Sequence, residues 1–184
     1  MSDAGDAGVR AADLRSGPAA RQASGLRWLV ISGVVIVLDQ LVKTWVVSDL
    51  KPYVPHRILP VLDITLMYNT GAAFSFLSDA SGWQRWAFTA LAAVVSIAIV
   101  LWMRTLRART HGLLACSLAF IVGGALGNMI DRIRIGHVID FVSPHWNNHW
   151  FAAFNVADSA ITVGAALLLL DALKETRGAQ GSRT

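Results

Sequence analysis

Carboxylates and amides recur in stretches of this chain that are otherwise apolar: Asp39, Asn128, Asp131, Asp140, Asn155 and Asp158. A charge within a spanning helix is costly, so such residues are functional candidates. Two carboxylates brought together at low dielectric cannot both ionise; they share a proton and their titrations split. Such a pair activates water with one member and protonates a carbonyl oxygen with the other, as in aspartic proteases. It needs no metal and no covalent intermediate. Asp158, with no neighbouring cation, is one obvious member. Its partner is Asp131, Asp140 or Asp39. Asp131 precedes Arg132 and Arg134, which hold it ionised, and Asp39 stands four residues before Lys43, an i, i+4 ion pair. Asp140 has no adjacent cation, so Asp140–Asp158 is preferred while the other pairings stay open.

Other chemistry finds less support. The chain has 11 Asp and one Glu, Glu175, which excludes any mechanism that needs a Glu inside the fold, including H-E-x-x-H. His145 and His149 have helical metal-ligand spacing but no evident third ligand. The one cysteine, Cys116, lacks a local base and excludes a disulfide framework. A Ser–Lys peptidase would use Lys43 with Ser75 or Ser159, yet Lys43 already has Asp39. Asn128 and Asp131 could simply end a helix. Gly123–Gly127 contains G-x-x-x-G, which more often means close helix packing than catalysis.

The elements that must position these groups are membrane helices. Hydrophobic residues make up 54% of the 184, charged residues 15%, and mean hydropathy is +0.50. An ordinary soluble domain carries about 25% charged residues. The expected class is a mainly α membrane protein with four spans, at about 28–47, 86–103, 113–130 and 151–170. Residues 1–26 read as a disordered tail, 27–173 as one membrane domain, and 174–184 as a second tail. With the Arg104–Arg109 loop inside, the inner side holds ten Lys/Arg against five outside. Both termini are then cytoplasmic, and the basic balance reports topology rather than nucleic acid. All seven tryptophans fall at span ends or in outer loops. Helical rise puts Asp39 about 12 Å and Asp158 about 10 Å below the outer surface. Val61–Tyr68 reads as a strand, turning at Asn69–Gly71 into extended chain through Phe76. Residues 131–150 read as an outer loop in which Asp140 dips toward the membrane. A proton-coupled transporter is the alternative, but it would want its acids at the midplane.

Five segments in order resemble lipoprotein signal peptidase (signal peptidase II), a bacterial aspartyl membrane protease family. They are Asp39–Lys43, Asn69–Ser75, Gly123–Arg132, Val138–Phe141 and Phe154–Ser159. The resemblance implies an endopeptidase that cuts diacylglyceryl-modified prolipoproteins before the lipidated cysteine, at the outer face of the bacterial inner membrane. It implies Asp140 and Asp158 as catalytic. Asn69, Asn128 and Asn155 would bond around the pair, and Arg132 would hold substrate or loop backbone. Asp39 and Lys43 would support the site, with Gly71, Asp131 and Ala157 in the same motifs. It further implies a small outer β-sheet, a mobile helix over the site, inhibition by globomycin, and no cofactor or metal. Membrane lipid is an expected partner, and a monomer the expected state.

Overall fold

The computed structural model describes residues 24–71, 82–108, 110–147 and 149–181. Among these, four helices are long and apolar enough to cross a membrane. They are α1 (Leu29–Asp49), α2 (Trp83–Thr105), α3 (Gly112–Ile135) and α4 (Val156–Gly181). At 1.5 Å per residue each reaches about 30 Å, the thickness of the hydrocarbon core. They run up and down, so the ends at Asp49, Trp83, Ile135 and Val156 gather on one side. Large apolar side chains such as Val34, Leu41, Leu91, Val94, Ile97 and Leu169 face outward, the surface that a bilayer covers.

The central helix is α3. Some 56% of its apolar window is buried, against 28%, 11% and 17% for the windows of α1, α2 and α4. Small residues make this possible. Gly124 lies against the Ala157 carbonyl of α4, where a Cβ has no room. The G-x-x-x-G stretch is thus a packing device, as its spacing suggested. An apolar cluster of Met103, Leu106, Leu114, Leu118 and Ala119 closes the end opposite the sheet.

The sheet sits at the gathered helix ends. Its strands are β1 (His56–Leu59), β2 (Leu62–Asn69), β3 (Val138–Trp146) and β4 (His149–Trp150), antiparallel in that order. Met67 lies opposite Asp140, and Asn69 opposite Val138. Leu66, Ile139 and Phe141 pack with Val46 and so fasten the sheet to α1.

Several boundaries differ from the sequence reading. Residues 24–26 are packed structure rather than tail. Ser24 accepts from the Leu26 amide at 3.0 Å, and the Gly25 amide bonds the Leu106 carbonyl at 2.9 Å. Helix α3 runs past Asp131 to Ile135, so Asn128 and Asp131 do not terminate it. The expected outer loop is largely strand β3. The expected fourth span starts five residues late, because Phe154 pairs with Val142 instead of joining the helix. Asp158 therefore stands in the first turn of α4, not in mid-span. The expected extended chain at 72–76 and Ser75 fall outside the described residues, and the expected helix over the site is not seen among the described ones.

Candidate active site

The site grows from one helix start. Asn155 and Asp158 cap α4 reciprocally. The Asp158 amide donates to Asn155 Oδ1 at 2.9 Å, and the Asn155 amide donates to Asp158 Oδ2 at 3.3 Å. This is the capping-box arrangement in an Asn-x-x-Asp form. It fixes the Asp158 carboxylate at a helix N-terminus, where the backbone dipole favours negative charge.

The same Asn155 reaches the second carboxylate. Its Nδ2 donates to Asp140 Oδ1 at 2.7 Å, with Asn128 Oδ1 at 3.1 Å and the Ile139 carbonyl at 3.2 Å as further acceptors. Asn128 Nδ2 donates to Asp158 Oδ1 at 2.7 Å, and Asn69 Nδ2 donates to Asp140 Oδ2 at 2.9 Å. Three amides thus surround two carboxylates, and one of them, Asn155, bonds to both. Burial pushes the Asp140 carboxyl up to about 6. The Asn69 bond opposes that rise, and the negative charge of Asp158 adds to it.

Each amide is oriented by a neighbour. The Gly71 amide donates to Asn69 Oδ1 at 2.8 Å, which leaves Nδ2 for Asp140. Gly71 sits at φ +99° against the Phe88 ring, so a side chain there would meet both backbone strain and a clash. Lys43 Nζ donates to Asn128 Oδ1 at 3.1 Å. An ammonium cannot accept, so this contact, together with the Asn155 Nδ2 donor on the same oxygen, decides which way the Asn128 amide points.

Lys43 is only 1% exposed and is also bound by Asp39 Oδ2 at 2.8 Å and Asp131 Oδ2 at 2.7 Å. Its three donors have three partners. The two acids then each hold one backbone amide. Asp39 Oδ1 accepts from Ala157 at 2.9 Å, and Asp131 Oδ2 accepts from Ile139 at 3.2 Å. Ala157 immediately precedes Asp158, and Ile139 immediately precedes Asp140. A single buried ion cluster therefore pins the backbone beside each member of the pair.

Asp39–Lys43 is an intrahelical pair, but it is completed by Asp131 from α3. Asp131 makes its direct ion pair with Lys43, and Arg132 adds only a weaker attraction. Arg132 lies over the Phe88 ring at 5.1 Å, donates to the Asn128 carbonyl at 3.4 Å, and interacts electrostatically with Asp158 and Asp140. His145 and His149 stand on a β-hairpin, so their helical spacing has no meaning. His145 instead bonds Asp63 at 3.2 Å and packs on Trp150. Gln40 went unread as a site residue. Its Nε2 donates to Asp131 Oδ1 at 2.9 Å, and a polar amide beside Asp39 in an apolar run was the available signal.

A model of the family described as signal peptidase (SPase) II matches residues 31–174. The chain belongs to the signal peptidase II family. That membership makes it an aspartic peptidase. It is 49% identical to the lipoprotein signal peptidase of Ectopseudomonas mendocina over 157 residues, covering 84% of this chain and 92% of that one. It is 50% identical to the lipoprotein signal peptidase of Pseudomonas putida, covering 87% and 94%. Two solved bacterial membrane enzymes share the fold. One, at 2.3 Å resolution, superposes with a TM-score of 0.70 at 30% identity, covering 82% of this chain and 89% of that chain. The other, at 1.9 Å, gives 0.69 at 29%, covering 80% and 93%. The peptidase thus has four apolar helices, a small antiparallel sheet and a multi-pass membrane architecture.

Proposed function

We propose that this peptidase removes signal peptides from diacylglyceryl-modified prolipoproteins by cutting before the lipidated cysteine, with Asp140 and Asp158 as its catalytic pair. The observation that carries this is Asn155, which bonds both carboxylates while capping the helix that presents one of them.

The roles divide by environment. Asp140, raised to about 6 by burial, holds the shared proton. Asp158, at a helix N-terminus, is the base. Asp158 takes a proton from water as the oxygen attacks the scissile carbonyl carbon. Asp140 gives its proton to the carbonyl oxygen, which yields a gem-diol. On collapse the gem-diol returns a proton to Asp140, Asp158 protonates the leaving nitrogen, and the C–N bond breaks. Arg132, Asn69 and Asn128 hold the substrate and the pair in place. The sheet-side headgroup level is where a lipid-anchored cysteine presents its bond.

The lysine and arginine bias supports cytoplasmic termini and a sheet on the outer side, which fits an enzyme of the inner membrane. A monomer suffices, since one chain carries every group named. The test is cleavage of a lipid-modified prolipoprotein by Asp140→Asn and Asp158→Asn. Each should lose activity by at least about a thousandfold with helical content unchanged by circular dichroism. Full activity in either variant overturns the pair.

A further inference from the structure

We propose that the cavity between the sheet-side ends of α1 and α3 binds the headgroup of an anionic phospholipid. The cavity measures about 480 Å³ and is lined by Gln40, Lys43, Tyr68, Asp131, Arg134 and His137, among others. That volume falls in the range of small-molecule sites. Asp140, Asp158 and the three asparagines around them are not among its lining residues, although it shares Lys43 and Asp131 with the ion cluster.

Charge selects the ligand class. Lys43 is spent on Asp39, Asp131 and Asn128 and has no donor left, so Arg134 is the lining cation with donors to offer. Arg134 is exposed, and its one hydrogen bond among the described residues is a 3.4 Å contact with Gln40 Oε1. Its remaining guanidinium donors suit a phosphate. The Tyr68 and His137 rings pack at 4.5 Å and supply a phenol and an imidazole to the same wall. The surrounding surface is lipid-like. Leu41 is 63% exposed and Trp45 is 55% exposed elsewhere on α1, outside the cavity lining. The first can lie along an acyl chain, and the second belongs at headgroup level.

Occupancy has a consequence for the site. Arg134 stands three residues after Asp131, on the same helix face. A guanidinium without an anion can compete for the Asp131 carboxylate, which Lys43 and the Ile139 amide now hold. A phosphate that engages Arg134 leaves Asp131 to its present partners. The lipid thus acts on the backbone beside Asp140 through Asp131.

The first readout is binding, which does not depend on the assigned activity. The wild-type protein is released from nanodiscs of phosphatidylcholine and phosphatidylglycerol, and its retained lipid is weighed by native mass spectrometry. Phosphatidylglycerol should be enriched about fivefold over its share, the worth of one cation near the headgroups. Arg134→Gln should abolish that enrichment, and Arg57→Gln, an exposed cation on the sheet, should not. Cleavage by the wild type should rise with phosphatidylglycerol, and cleavage by Arg134→Gln should be insensitive to it. Equal retention of both lipids overturns the proposal. So does unchanged enrichment in Arg134→Gln. Displacement of the lipid by millimolar glycerol 3-phosphate would assign the cavity to a soluble anion instead.

Discussion

Replacing Lys43 with Met should cost the protein both stability and catalysis, for two separable reasons. The ammonium lies 2.8 Å from Asp39 and 2.7 Å from Asp131, and the side chains of all three are at most 4% exposed. Methionine fills similar volume but leaves two buried carboxylates uncompensated. Removing one partner of a buried pair costs about 3–5 kcal/mol. Total stabilities run about 5–15 kcal/mol, and at about 2–4 °C per kcal/mol the melting temperature, read from tryptophan fluorescence, should fall by about 6–20 °C. The second cost falls on Asn128. Without the ammonium at Oδ1, only the Asn155 Nδ2 donor at 3.1 Å opposes the amide turning over and aiming oxygen at Asp158. A hydrogen bond to a charged group is worth about 1.5–3 kcal/mol, or about 10- to 150-fold in rate. The triple variant Asp39→Asn/Lys43→Met/Asp131→Asn separates the two effects. With no unpaired charge left it should regain most of the lost melting temperature, yet stay slow on a lipid-modified prolipoprotein. A Lys43→Met protein that melts within a few degrees of wild type and cleaves at full rate would refute the role assigned to the ion cluster.

Other outcomes follow from the same geometry. Asp140 binds its proton below about 6 in the folded protein, above the ordinary value of 3.8. Its contribution to stability is therefore present at low pH and lost as pH rises through about 6; the melting temperature should rise on acidification from pH 7 to pH 5, and that gain should vanish in Asp140→Asn. By the same titration kcat/KM should fall above about pH 6, and the kcat limb should lie higher, because bound substrate excludes water from the carboxyl. Asn155→Ala removes the side-chain cap on the Asp158 amide and the bond to Asp140, while the backbone bond to the Asp158 carboxylate stays; kcat should drop by about 10- to 150-fold, with about 1 kcal/mol lost from the fold, measured by cleavage and thermal melting together. Gly124→Leu drives a side chain into the Ala157 carbonyl and should separate α3 from α4, visible as loss of folded protein in size-exclusion chromatography from detergent.

The fold class was legible because a bilayer imposes a rule that sequence records directly: about 20 apolar residues per span. The acids were legible for the complementary reason, since a polar group in such a run has no bland explanation. The absence of a cation beside Asp140 and Asp158 marked both, and the five ordered motifs named the family. What local sequence could not show was who compensates whom. Asp131 is followed by two arginines, yet its partner is Lys43, 88 residues earlier, because α1 and α3 pack closely enough to bury all three charges. Nor could spacing reveal that Asp39 and Asp131 hold the amides just before Asp158 and Asp140. The start of α4 was misplaced by five residues because Phe154 finds a strand partner, and hydropathy does not distinguish an apolar strand residue from an apolar helix residue. Composition and periodicity determined that this chain crosses a membrane and carries carboxylates there. Only the packing of helix on helix and sheet on helix decided which carboxylates are neutralised, which keep a proton, and which amides hold them, because those outcomes depend on distances between residues far apart in the chain.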